Sequence, residues 1–292
     1  MPTSAGIASL VGPFQGRGLF GAQPARLALR RGPVGGGLVF ALGRARLPAS
    51  VNRVTTDTSW AGLPRGVPVR NTTLASSDGV HVVATVEHVL SALAGAGIWD
   101  AVIEIDGPET PILDGSAADF ARALGAAGWC GTADATPLRL AGPIEVRDAS
   151  GATITATPRE RGGSFTYHLN YGPASPLRPQ TASWRQGDVA EYLARVAPAR
   201  TFSLEAEAAA ARAAGLFAHL TPREMLVIGP DGLPVDNAFR FPDEPARHKL
   251  LDLIGDLALL GRPLAADVIA TRSGHTLAHA FCHAALAAAV KD

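Results

Sequence analysis

The chain is organised around the stretch Arg247-His-Lys-Leu-Leu-Asp-Leu-Ile-Gly-Asp-Leu257. His248 and Asp252 stand four residues apart within an apolar helical run, and Asp256 follows four residues later. Residues at i and i+4 lie on the same helix face. An uncompensated charge in apolar surroundings is costly, and a bound metal ion would offset that cost. The stretch therefore indicates either part of a metal site or an ordinary i,i+4 pair on a surface.

Composition limits the class of protein. The chain has 292 residues, 47% hydrophobic and 18% charged, with a formal net charge of zero. That length suits one large or two ordinary domains, and the neutral charge argues against a general nucleic-acid binder. Cys130 and Cys282 do not make a disulfide framework. No signal sequence or long apolar span is evident, so we expect a soluble cytoplasmic protein.

Charge is unevenly distributed along the chain. No acidic residue precedes Asp57, whereas arginine occurs repeatedly in the same segment. These arginines are Arg17, Arg26, Arg30, Arg31, Arg44, Arg46 and Arg53. An acid-free, arginine-bearing start is compatible with a transit peptide. Residues 26–30 and 37–42 nevertheless have strand patterns, and a basic wall facing an anionic ligand would use the same charges.

The order of predicted elements indicates the fold class. Strands, a helix at 86–93, a strand at 101–105 and a helix at 117–127 are followed by a change in composition at 131–137. Strands, helices at 189–196, 204–214 and 245–260, and a last helix from 275 come after it. We therefore predict an α+β protein of two domains, residues 1–131 and 138–292. Each is a sheet packed against helices in a two-layer sandwich.

A metal site needs more ligands than one helix supplies. A catalytic zinc ion has three protein ligands and an open position, usually with an acid nearby to act as base. Glu87-His88, at a helix start that Thr85 is suited to cap, supplies both residue types. A solvated helix start explains the same pair. A rival metal face at i, i+4, i+7 and i+8 of the last helix consists of His275, His279, Cys282 and His283.

Five blocks of the sequence resemble, in order, the zinc-dependent UDP-3-O-acyl-N-acetylglucosamine deacetylases of lipid A biosynthesis. The blocks are Thr85-Val-Glu-His88-Val-Leu-Ser-Ala-Leu-Ala-Gly-Ala-Gly-Ile98, Asp106-Gly-Pro-Glu-Thr-Pro-Ile-Leu-Asp-Gly-Ser-Ala117, Ala199-Arg-Thr-Phe202, Arg247-His-Lys-Leu-Leu-Asp-Leu-Ile-Gly-Asp-Leu257 and Ser273-Gly-His275. The resemblance covers nearly the whole chain. Several blocks in a fixed order are more specific than any single motif.

The resemblance implies a zinc hydrolase with its active site in the cleft between the two domains. It makes His88, His248 and Asp252 the ligands of Zn²⁺. Glu87 resembles the general base that deprotonates a zinc-bound water. His275 resembles the general acid that also faces the developing oxyanion. This division of labour suits amide hydrolysis, since an amide is a poor electrophile and water a poor nucleophile.

The resemblance also implies supporting residues and a partner. Asp256 would orient His275, and Thr201 would help polarise the amide carbonyl. Lys249 matches a position associated with a diphosphate, and Phe202 is expected to contact the substrate. The implied partner is a nucleotide sugar, with no nucleic acid and no membrane span, and the protein is expected to be a monomer.

Departures from the family pattern leave the substrate open. Phe20 stands where the family usually has His, and residues 217–221 (Phe-Ala-His-Leu-Thr) replace a Leu-Gly-Gly-Ser type of segment that forms part of a passage for the acyl chain. Losing both glycines should reshape or narrow that passage. An extra loop occupies residues 61–68, and residues 165–174 lack the usual acid and His-Pro. The alternatives are therefore a related zinc deacetylase of a different N-acylated sugar or amide, and a non-catalytic metal-binding relative.

Overall fold

The computed structural model describes residues 10–61, 70–129, 135–222 and 224–290. The first nine residues of the arginine-bearing start, nearly all of the extra loop at 61–68 and most of the predicted linker at 131–137 lie outside the described residues. Within these residues the strands are β1 Val11–Arg17, β2 Pro24–Arg31, β3 Leu38–Leu42, β4 Ala45–Pro48, β5 Thr73–Ala75, β6 Val82–Ala84, β7 Ala101–Asp106, β8 Ile144–Arg147, β9 Thr153–Pro158, β10 Ser164–Leu169, β11 Gln180–Arg185, β12 Phe202–Leu204, β13 Leu226–Ile228 and β14 Ala266–Thr271. The helices are α1 Glu87–Gly95, α2 Ala118–Ala126, α3 Val189–Glu191, α4 Glu205–Ala213, α5 Glu244–Leu257 and α6 His275–Ala287.

Two five-stranded sheets dominate the fold, with strand orders β1-β2-β7-β3-β4 and β11-β10-β14-β9-β8. In each sheet two hairpins form the flanks and a later strand is inserted between them. The inserted strand, β7 or β14, is antiparallel to one neighbour and parallel to the other. A helix precedes and another follows each inserted strand, α1 and α2 in the first half and α5 and α6 in the second. The two halves therefore share one connectivity, and the α+β prediction is confirmed.

Helix α5 is the central element of the molecule. Every residue of α5 except Lys249 is buried, because the helix packs against α1, α6 and strands β10 and β11. A helix surrounded in this way is apolar over most of its circumference. The leucines and Ile254 that accompany the ionisable residues meet this requirement.

Close contact between α1 and α5 joins the two halves. A Cβ atom added at Gly255 would lie 2.0 Å from the carbonyl oxygen of Glu87. Only glycine permits this approach of the two helices. Apolar residues from both sheets and from α1, α2, α5 and α6 form one continuous core.

Some local predictions were wrong. Thr85 does not cap α1, because its backbone is left-handed (φ +56°) and its hydroxyl donates to Glu109 Oε1 over 2.7 Å. Residues 138–140, for which the sequence predicts a strand, instead contribute isolated bridges through Leu138 and Leu140. Strand β11 was missed, because Pro173, Pro176 and Pro179 directly before it indicate a proline-rich loop. In the described residues no helix is long and apolar enough to cross a membrane.

Candidate metal centre and active site

Three side chains that could hold a metal ion, His88, His248 and Asp252, converge where α1 meets α5. His88 Nε2 lies 3.7 Å and His248 Nε2 lies 3.3 Å from Asp252 Oδ1. One potential ligand atom from each residue lies within 4.8 Å of the others. In the described part of the chain this is the one set of three such groups close enough to share an ion. The His248–Asp252 pair is thus not on a surface, and His88 completes it from the other half.

Hydrogen bonds outside the three ligands aim them at a common point. His248 Nδ1–H donates to the carbonyl of Ala199 over 3.1 Å, which leaves the Nε2 lone pair facing Asp252. Lys249 Nζ donates to Asp252 Oδ2 over 2.7 Å, so that Oδ1 is the oxygen left to the two histidines. Such outer contacts fix the tautomer and orientation of metal-ligating histidines.

The protonation states suit a divalent cation. Burial lowers the pKa of His88 to about 3, and burial also lowers the pKa of His248. Both rings are therefore neutral at physiological pH, with lone pairs available. Burial opposes the charge of Asp252, but the Lys249 ammonium that donates to its carboxylate holds the pKa of Asp252 below the usual range. Two neutral imidazoles and a carboxylate are a donor set that zinc accepts readily.

Glu87 lies next to the ligands at the first turn of α1. Its Oε2 accepts a hydrogen bond of 3.0 Å from the backbone N–H of Thr72. Burial raises the pKa of Glu87 to about 8, although nearby His275 opposes that shift. A cation held by the adjacent ligands would favour the carboxylate form. A buried carboxylate whose pKa lies near neutrality is suited to accept a proton.

His275 at the start of α6 faces Asp256 of α5. Its Nδ1–H donates to Asp256 Oδ2 over 2.8 Å. Burial alone would lower the pKa of His275, but Asp256 and Glu87 raise it to about 9. Burial likewise opposes the charge of Asp256, and the His275 ion pair holds its pKa well below the usual range. His275 is therefore protonated at neutral pH.

Thr72 connects both halves of this arrangement and was not found from sequence. Its hydroxyl donates to Asp256 Oδ1 over 2.5 Å, and its N–H binds Glu87. Because the hydroxyl proton is used on Asp256, His279 Nε2–H must be the donor in the 2.9 Å contact between His279 and Thr72. Asp256 is 184 residues away in the chain, so no local signal marks Thr72.

A cavity of about 670 Å³ opens in front of these groups. Residues of both halves line it, among them Asn71, Thr201, Phe202, Lys249 and the ligands. The ring of Phe202 lies edge-on to His248, with centroids 6.3 Å apart. Thr201 is fixed by a 2.7 Å hydrogen bond from its N–H to the carbonyl of Gly115. Lys249 lines the cavity while its ammonium is held by Asp252, a contact that sequence did not indicate.

The rival histidine–cysteine cluster does not converge. His275 and His279 turn toward Asp256, whereas His283 is exposed. Cys282 is fully buried, and its thiol lies 3.5 Å from the backbone carbonyl of Asp256. Burial raises the pKa of that thiol well above its ordinary value, which disfavours a thiolate ligand. The alternative prediction of a metal site in this cluster was therefore wrong.

Three converging ligands with a buried acid and a protonated imidazole beside them are typical of metal-dependent hydrolases. The chain belongs to the family described as LpxC: UDP-3-O-acyl N-acetylglycosamine deacetylase, whose model matches residues 9–287. Among its relatives, the UDP-3-O-acyl-N-acetylglucosamine deacetylase of Geotalea uraniireducens is 33% identical over 269 residues, 92% of this chain and 83% of the relative. That of Anaeromyxobacter dehalogenans is 35% identical over 277 residues, 93% and 84% respectively. That of Chlamydia felis is 36% identical over 208 residues, 71% and 72%.

Proposed function

We propose that this chain is a Zn²⁺-dependent amide hydrolase of lipid A biosynthesis. It removes the N-acetyl group of UDP-3-O-acyl-N-acetylglucosamine and releases acetate and the free amine. One observation carries the proposal: His88, His248 and Asp252 converge in a cleft that also holds Glu87 and a protonated His275. Family membership and the names of the relatives support the substrate.

Glu87 acts as the general base. His88, His248 and Asp252 would hold a divalent cation, which when bound would polarise the amide carbonyl and lower the pKa of the attacking water towards about 7. Glu87 accepts the proton of the attacking water on its carboxylate. The hydrogen bond from Thr72 N–H holds Oε2 and leaves Oε1 to receive that proton.

His275 acts as the general acid. Its Nδ1–H is committed to Asp256, so Nε2–H is the proton available to the substrate. His275 donates that proton to the leaving amine nitrogen as the C–N bond breaks. Before the transfer its positive charge stabilises the oxyanion that develops on the carbonyl oxygen. Asp256 keeps the imidazole protonated and in one orientation.

Three further residues receive roles in substrate binding. The Thr201 hydroxyl helps to polarise the carbonyl, and Phe202 supplies an apolar wall beside His248. Lys249, which lines the cavity, binds the anionic diphosphate of the substrate. The cytoplasmic location, the monomeric state and the division into domains at 131–138 remain predictions from the sequence.

Acetate release tests this function. The purified protein, loaded with Zn²⁺, is incubated with UDP-3-O-acyl-N-acetylglucosamine, and both acetate and the free amine are quantified. Equal amounts of the two products are expected. In Glu87→Gln the rate should fall about 10²–10⁴-fold, since one positioned proton transfer is lost.

The same assay separates the alternatives. Acetate release from other N-acetyl sugars only would favour the related deacetylase of a different substrate. Absence of acetate release from every N-acetyl sugar, in protein that binds one Zn²⁺ per chain, would favour the non-catalytic relative.

A further inference from the structure

The two sequence departures near the site contact each other. The rings of Phe20 and Phe217 lie with centroids 5.4 Å apart. His219 Nε2–H donates to the carbonyl of Gly18 over 2.9 Å, which ties the segment at 216–220 to the loop at 18–21. These two chain segments are about 200 residues apart in sequence and come from different halves of the molecule.

An apolar cluster separate from the main core results from this contact. It consists of buried Leu19, Phe20, Ile112, Leu220 and Met225, with Trp60 and Phe217 packed against it. Leu19 also lines the catalytic cavity, so the cluster begins at the cavity wall. An acyl substituent leaving the polar site along Leu19 would enter this cluster, where the chain's own side chains already fill the space.

The closing side chain is held in a strained conformation. Phe217 has φ +58°, a left-handed backbone that side-chain-bearing residues other than Asn and Asp seldom adopt. Phe20, on the other side of the ring contact, is held firmly. Buried Glu109 accepts hydrogen bonds from the N–H groups of Phe20 and Gly21 over 3.0 and 2.8 Å. An incoming acyl chain would therefore have to displace the half-buried Phe217 and not Phe20.

We infer that Phe217, closed against Phe20, is a specificity-determining residue that restricts this enzyme to substrates with short acyl chains. This inference rests on the proposed deacetylase function. In an open apolar passage each additional methylene raises affinity about fourfold, since its burial is worth about 0.8 kcal/mol. This gain in affinity per methylene should stop once the acyl chain reaches the Phe20–Phe217 contact, because further methylenes must expel a packed aromatic ring.

The test is a chain-length series. Substrates carrying 3-O-acetyl, butanoyl, hexanoyl, decanoyl and tetradecanoyl groups are compared by kcat/KM in the wild-type protein. Calorimetric binding of the corresponding free-amine products gives a readout that needs no turnover. We expect both quantities to rise over the short chains and then level off or fall.

Variants of Phe217 test whether its ring sets the limit on acyl-chain length. Phe217→Gly, which suits the left-handed backbone and removes the ring, should raise kcat/KM for the tetradecanoyl substrate at least tenfold relative to the acetyl substrate. Phe217→Ala should act in the same direction if the glycine variant folds poorly. Asp236→Gly is the matched control, because Asp236 is exposed and also left-handed (φ +51°). Its chain-length profile should equal that of the wild type.

The outcomes separate the inference from the function on which it rests. A wild-type affinity that keeps rising by about fourfold per methylene through tetradecanoyl would overturn the inference while leaving the deacetylase function intact. A folded Phe217→Gly protein with an unchanged profile would overturn it as well. If no member of the series is hydrolysed, the proposed function fails, and the binding series still decides the chain-length limit.

Discussion

At the scale of single residues, the site is a set of ionisable groups whose charges are fixed by their neighbours. Asp256 accepts a hydrogen bond from His275 on one carboxylate oxygen and from Thr72 on the other. Its negative charge is therefore stabilised by partners inside the protein. Buried charges persist in proteins only when they are paired and hydrogen-bonded in this way. The protonated His275 that amide cleavage requires is a direct consequence of that pairing.

The pH dependence of activity follows from the His275–Asp256 pair. The pKa of His275 is raised to about 9, so the imidazolium proposed as general acid is present below that pH and is lost as the pH rises through it. We expect kcat/KM to fall on the alkaline side near pH 9. Asp256→Asn removes the ion pair and should move this limb to lower pH. Asp267→Asn, which affects a surface pair with Arg159, should leave it in place. An alkaline limb that stays fixed in Asp256→Asn would contradict the assignment.

Thr72 offers a test of the hydrogen-bond network. Thr72→Val removes the hydroxyl that binds Asp256 and keeps a similar shape, which leaves a buried carboxylate oxygen without its donor. Such a loss costs about 1–3 kcal/mol of unfolding free energy. Thr72→Ser, which keeps the hydroxyl, should lie near the wild type in a denaturant titration. Equal stability of the valine and serine variants would mean that the contact contributes nothing.

At the scale of secondary structure, much of this arrangement could be predicted from sequence. The i, i+4, i+8 spacing of His248, Asp252 and Asp256 predicted a helix with three ionisable residues on one face, and α5 has that form. Alternation at residues 101–105 predicted β7. The start of α1 was misjudged because the Thr85 hydroxyl serves Glu109, a contact between elements that local capping rules do not contain. Strand β11 was missed because a proline-rich loop obscured its beginning.

The close contact between helices α1 and α5 can be tested directly by a substitution. Gly255→Ala would place a Cβ atom 2.0 Å from the carbonyl oxygen of Glu87, so the two helices must separate. Overpacking of this kind costs about 1–3 kcal/mol. We expect a lower thermal midpoint and weaker Zn²⁺ binding, because His88 moves with α1. Gly142→Ala, where an added Cβ meets nothing within 4 Å, is the control. Wild-type Zn²⁺ affinity in Gly255→Ala would show that the close approach does not position the ligands.

At the scale of the whole molecule, two halves of the same connectivity place their equivalent helices α1 and α5 against each other. The candidate site is formed at that contact, with His88 and Glu87 from one half and His248 and Asp252 from the other. Sequence spacing could not bring residue 88 to residue 248, and only the family resemblance joined them. The contacts of Thr72 and the Lys249–Asp252 ion pair became visible only in the folded chain, because each depends on how the elements pack.

Because the ligands come from both halves, a bound ion should stabilise the whole fold. A ligand present at 100 times its Kd adds about 2.7 kcal/mol to the free energy of unfolding. Chelation should therefore lower the thermal midpoint of the wild-type protein. In His248→Ala the midpoint should no longer respond to the chelator. The exposed His283 provides the matched control, since His283→Ala should respond as the wild type does. A His248→Ala protein that still responds fully would place the ion elsewhere.

The central claim is that one cation, held by His88, His248 and Asp252, enables amide hydrolysis. Its most direct test is a titration of the chelated, metal-free protein with Zn²⁺ while acetate release from UDP-3-O-acyl-N-acetylglucosamine is measured. We expect negligible activity without metal, a linear rise up to one equivalent of Zn²⁺ per chain, and a plateau thereafter. Full activity in the metal-free protein, or no activity at any Zn²⁺ concentration, would contradict it.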